Sequence, residues 1–215
     1  AEEAEKHLTE ARQILHTLVG KYPQIAPYVA EGAYCQGTLA RLLRDRGKSP
    51  EAKAMLEDAI EAFQGVIQPT RETPEYEERK YVESLALCRA HLGQTLCMLG
   101  QHEDANTACQ EAVATLAGME DKPPSCRDTL ALVYECWGNA LADAGRHDEA
   151  ARAFAQAAEA WEALLASGAA SADHRHHYAR FLTRCPRTEC RDGKKAVELA
   201  QRLTAQQPEN ALYWN

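Results

Sequence analysis

The stretch HRHHYARFLTRCPRTEC, residues 174–190, gathers three histidines and two cysteines. His174, His176, His177, Cys185 and Cys190 are all zinc-ligand types. Four residues separate the cysteines, and one of them is Pro186, so the spacing falls short of a CxxC pair. His174 and His177 can share one helical face, but the cysteines follow at that helix's end. The stretch therefore reads as a polar helix start followed by two ordinary thiols, and no metal is expected. Glu135 and Asp143 are candidate general acids. That role needs a dry pocket and an opposed partner, and both residues fall on a helix face expected to be exposed. His102 and His147 each follow a glycine by two residues and precede an acid pair, in HED and HDE. They read as turn and packing residues, with the acids at a helix start where negative charge suits the dipole. No serine elbow, P-loop, dinucleotide fingerprint or HExxH occurs. No catalytic residue and no cofactor are expected.

The 215 residues carry a formal net charge of −8, which makes nucleic acid and anionic membrane surfaces poor default partners. No apolar run reaches the length of a membrane span. The first residue is alanine, and the chain is expected to be a piece of a longer protein. Of eight cysteines, Cys35, Cys88, Cys97, Cys109 and Cys136 lie within apolar helical patterns. An even count can signal a disulfide framework. Reduced thiols in a cytoplasmic protein are the simpler expectation.

The elements behind these side chains are helical. Apolar residues recur at steps of three and four, and no credible strand run exists. Three segments share one frame: Gly47, Ala52, Leu56, Ala59; Gly100, Ala105, Cys109, Ala112; and Gly145, Ala150, Phe154, Ala157. Each glycine is expected to end a first helix in a left-handed turn. Ala40, Gly93 and Gly138 on the first helices should meet Ala52, Ala105 and Ala150 on the second, with Trp137 and Phe154 filling space between neighbours. Pro69, Pro74, Pro123 and Pro124 mark the breaks between units. The last unit is irregular, with Cys185-Pro186 ending its first helix and an insertion, RTECRDG, before the second.

LGQTLCMLGQHEDANTACQEAV and WGNALADAGRHDEAARAFAQAA resemble the tetratricopeptide repeat. The resemblance implies an all-α fold: antiparallel helix hairpins stacked in a right-handed α-solenoid, here with longer helices than the minimal repeat. One repeat domain is expected over 1–215, with units near 1–27, 28–72, 74–120, 124–168 and 172–210. Pro23 and Pro208 take the family's terminal proline places, and Trp214 opens a further unit. The stretch 178–215, with its Cys-Pro, Arg-Asp and Ala-Val-Glu-Leu-Ala helix, resembles the closing repeat of large planctomycete-type bacterial proteins. Many of those carry a serine/threonine kinase domain. Pro23 and Pro27 before Tyr28, and Pro74 before Tyr76, are similar to the openings of their repeats. No kinase motif stands in this chain.

The resemblance places a binding groove along the first helices. Those positions are Tyr34, Gly37, Arg41 and Arg44; then Leu87, Ala90, Gln94 and Met98; then Leu132, Glu135, Asn139 and Asp143. The groove is expected to be basic at one end and acidic at the other. Some family members clamp a peptide's terminal carboxylate with paired Lys and Asn. Asn139 matches, but Glu135 and Ala90 replace the basic residue, so an extended or helical segment held by mixed contacts is expected instead. The expected function is a non-catalytic protein or peptide scaffold, within a larger bacterial signalling protein. The alternative is a structural spacer that self-associates through its ends.

Overall fold

The computed structural model describes residues 2–67, 75–117 and 124–206. Pro69, Pro74, Pro123, Pro208 and Trp214 lie outside them. The described residues form nine helices, with no strand among them. They are α1 (Glu2–Lys21), α2 (Ala26–Asp45), α3 (Ser49–Val66), α4 (Glu75–Met98), α5 (His102–Ala117), α6 (Pro124–Asp143), α7 (His147–Ala166), α8 (Ala172–Arg184) and α9 (Gly193–Gln206). A short 3₁₀ turn, Thr188–Cys190, precedes α9. The chain divides into two compact units, 1–119 and 120–215.

In the first unit each helix packs on the next, from α1 to α5. Helix α3 shows why. Ala52, Leu56, Ala59, Phe63 and Val66 repeat at four and three, and all are buried. Pro50 in its first turn removes a backbone donor that has no partner there. In the second unit α6 packs on α7, and α8 on α9. Ala150, Ala153, Phe154, Ala157, Trp161 and Leu164 form the buried stripe of α7. Trp161 stacks on Tyr178 at 5.8 Å between ring centroids, and Tyr178 on Phe181 at 6.3 Å, which joins α7 to α8. Lys195 of α9 lies 5.1 Å from the Tyr178 ring centre and pairs with Glu162 at 2.8 Å.

The three turn glycines have φ of 78°, 76° and 75°, as their frame implies. Each turn carries the same two bonds. The N–H of Gly47 donates to Arg44 O, and that of Lys48 to Leu43 O; Gly100 and Gln101, then Gly145 and Arg146, repeat the pattern. This is the Schellman motif, which satisfies the last carbonyls of the first helix. Gly168 closes α7 with a φ of 72°, outside the shared frame.

The small-residue contacts differ from the expectation in one detail. A Cβ on Gly138 would stand 2.6 Å from the Phe154 ring, so Phe154 rather than Ala150 keeps that position small. A Cβ on Gly93 would collide with Cys109 Sγ and stand 3.0 Å from the Ala105 carbonyl. Phe154 and Cys109 hold equivalent places in the repeat frame. Ala40, Ala52, Ala105 and Ala150 are all buried.

Candidate functional site

In the first unit, α2 and α4 lie side by side, and Gly37 lets them close: a Cβ there would stand 2.9 Å from Cys88 Sγ. A cleft of about 130 Å³ opens along this seam. Tyr34, Thr38 and Arg41 line it from α2, and Ser84, Leu87 and His91 from α4. The Tyr34 side chain is 55% exposed, and Arg41 is exposed beside it. Arg44, one turn further along, is mostly enclosed. Its Nη1 donates to Gln94 Oε1 and lies 3.4 Å from His91 Nδ1, and its Nη2 donates to Asp45 Oδ1 at 2.9 Å. An arginine only donates, so His91 must present Nδ1 as an acceptor and stay neutral. Burial, then the charges of Arg44 and Arg41, push its pKa down to about 3.

Four expected groove residues, Tyr34, Arg41, Arg44 and Gln94, thus gather around His91. Sequence reasoning missed His91, although it stands one helical turn after Leu87. Met98, a turn beyond Gln94, is 56% exposed. A wider cleft, about 630 Å³, runs between α1, α2 and α3, with Arg12, His16 and Asp58 among its lining residues.

In the second unit, Asp143 is exposed and Asn139 half-buried on α6. Glu135 corrects an expectation. It is no surface carboxylate: its Oε2 is buried and accepts no hydrogen bond from the described residues. Burial pushes its pKa above the ordinary 4.5, while the charges of Arg180, His177 and Arg184 on α8 pull the other way. His177 Nδ1 stands 3.4 Å from Asp128 Oδ1, back on α6.

The histidine stretch is distributed among separate tasks. Ser171 Oγ accepts from the His174 N–H at 3.2 Å, and His174 Nδ1 accepts from the Ser171 N–H at 3.1 Å. His174 therefore takes the capping-box place usually held by Glu or Gln. Among the described residues no group of three His, Cys, Asp or Glu side chains is placed to hold a metal. All eight cysteines are free thiols. His102 opens α5 with Nδ1 3.4 Å from Cys97 Sγ, and His147 opens α7, exposed.

Antiparallel helix pairs, each reversed at a left-handed glycine and sealed by small residues, define a helical-repeat protein of the solenoid class. The chain belongs to the tetratricopeptide repeat family; residues 33–66 and 85–116 match that family. It is similar to the photosystem I assembly protein Ycf3 of Parasynechococcus marenigrum (strain WH8102), at 30% identity over 126 residues. That match covers 57% of this chain and 70% of the relative. The protein of the same name from Synechococcus sp. (strain CC9605) is 28% identical over 129 residues, with the same coverage. The repeats are those of a protein-interaction scaffold. Among the described residues no helix is long and apolar enough to cross a membrane.

Proposed function

We propose that the chain is a scaffold whose α2–α4 face holds a polypeptide segment bearing an acidic side chain. One observation carries the reading: Arg41 and Tyr34 stand exposed over a cleft lined by His91, which Arg44, itself bonded to Gln94, holds in place. No carboxylate pairs with Arg41 among the described residues, so its charge is available to a ligand. Tyr34 offers a flat apolar surface with few torsions to order on binding. Arg44 positions, since Asp45 already neutralises it. Gln94 braces Arg44, and Met98 extends the apolar rim. The second unit has a candidate surface of its own on α6, where Asn139 and Asp143 offer polar groups to a polypeptide and Glu135 is a partly enclosed carboxyl group and not a clamp. The similar Ycf3 proteins, named for assembling photosystem I, support a role in holding other polypeptides during assembly. A cytoplasmic setting and a place in a larger signalling chain fit the same role.

Selection from a random peptide display library tests this. Acidic peptides with an apolar neighbour are expected to be enriched, and Arg41→Glu to weaken them at least tenfold, about 1.4 kcal/mol. Absence of enrichment, or binding indifferent to Arg41→Glu, would reject the reading.

A further inference from the structure

A second groove lies on the far side of α2 from the Arg41 face. Tyr34 of that face and Gln36 are two positions apart, about 200° around the helix, and Gln36 lines the cleft between α1, α2 and α3. This cleft, of about 630 Å³, shares Val29, Gln36, Asp58 and Ala62 with a neighbouring one of about 490 Å³, so the two are one continuous groove. The three helices run antiparallel in turn, and residues equally far from a turn stand level. Arg12, Gln36 and Asp58 make one rung; His16, Gly32 and Ala62 make the next. Val19, Val29 and Gly65 make the last. On every helix the steps are four residues and then three, which is two turns and about 10 Å in all. Leu15, Val19 and Val29 stand half-buried along this trough. Its floor is low: a Cβ on Gly32 would meet only Leu15 Cβ, at 3.9 Å, and one on Gly65 nothing within 4 Å. The walls differ in sign. Arg12 belongs to α1, while Asp58 and Glu61 belong to α3, and none of the three has an ion-pair partner among the described residues.

We propose that this outer groove docks an amphipathic α-helix of a partner polypeptide, with acidic side chains on the flank beside α1 and basic ones on the flank beside α3. The groove selects a helix because its walls are helices, whose amides and carbonyls are already paired. An extended segment would bury its own backbone groups without partners, whereas a helix satisfies them itself. Apolar anchors at i, i+4 and i+7 repeat the spacing of the rungs and fill two turns of trough. Arg12 meets a carboxylate on one flank, and His16 beside it donates a hydrogen bond in either charge state. Asp58 and Glu61 meet lysine or arginine on the other. Because the two walls carry opposite charge, they also fix the direction in which the helix lies. The site is separate from the Arg41 face, so the first unit can hold two polypeptides at once, one on each side of α2.

The test uses fluorescein-labelled, alanine-rich peptides of about 18 residues, long enough to form a helix alone, with leucines at i, i+4 and i+7. One peptide carries glutamates on one flank and lysines on the other; two controls carry lysines on both flanks or glutamates on both. Fluorescence anisotropy with the full chain should show the mixed peptide binding roughly threefold to tenfold tighter than either control. Arg12→Glu should hand the preference to the lysine peptide, and Asp58→Lys to the glutamate peptide. Gly32→Leu fills the trough and should weaken the mixed peptide by about tenfold or more, with the melting temperature reporting that the hairpins stay folded. If that variant unfolds, the two charge reversals carry the test. Absence of binding, equal binding of all three peptides, or preferences that ignore both reversals overturns the proposal. Light scattering of the parent alone covers one other occupant: a dimer that Gly32→Leu dissolves would put a second copy of this chain in the groove, and that too overturns it.

Discussion

Arg44 donates a hydrogen bond to the side-chain oxygen of Gln94, fifty residues further along the chain, and so ties α2 to α4. The bond is charge-assisted and largely shielded, and it leaves Arg41 as the exposed cation of the face. Gln94→Ala is expected to cost about 1–2 kcal/mol, since the guanidinium loses a partner while still partly enclosed. Arg44→Ala together with Gln94→Ala should cost less than the sum of the two single changes, by about 1 kcal/mol. Urea denaturation of all four proteins measures the coupling. Strict additivity would show that the bond contributes nothing.

Two partly buried titrating groups predict opposite responses to pH. His91 has a pKa lowered from 6.5 to about 3, first by burial and then by Arg44 and Arg41. The unfolded chain takes up that proton first, so the stability linked to His91 is complete above 6.5 and drains away as pH falls towards 3. His91→Gln removes this loss, and its stability relative to the parent should improve steadily across that window. Glu135 has a pKa raised above 4.5 by burial. The folded state holds its proton more tightly, so that contribution is present below 4.5 and is lost as pH rises through the folded value. Glu135→Gln should therefore raise the melting temperature at neutral pH and lose that advantage below 4.5. Melts of the three proteins across the acid and neutral range give both signs. A Glu135→Gln gain that is equal at every pH would contradict the second.

The glycines separate into positions that tolerate a methyl group and positions that do not. Gly138→Ala would push a carbon into the Phe154 ring, which is fully buried and cannot withdraw. A loss of about 1–3 kcal/mol is expected. Gly65 lies in α3 with nothing within 4 Å of an added Cβ. Gly65→Ala should stabilise by roughly 0.5 kcal/mol, through the entropy of the unfolded chain. Thermal unfolding of the two variants provides the comparison, and the ordering matters more than either value.

The turns and helix seams were legible in the sequence because local chemistry dictates them. Gly47, Gly100 and Gly145 recur where only a residue without a Cβ enters the left-handed region easily. Ala52, Ala105 and Ala150 recur five residues later for want of space. His91 was not legible, because its enclosure comes from packing between helices and its neutrality from that enclosure and from Arg44 and Arg41 on α2. The repeat frame puts Glu135 on a helix face expected to be exposed; its enclosure and the Arg180 and Arg184 charges near it belong to tertiary packing.

The repeated glycine turn also bears on how the chain acquires its shape. Each hairpin, α2 with α3, α4 with α5 and α6 with α7, joins helices that are adjacent in sequence. Loop closure across a few residues costs little entropy, and contacts of short sequence separation form fast. A hairpin of this kind can close soon after its second helix emerges from the ribosome, before the next pair has been synthesised.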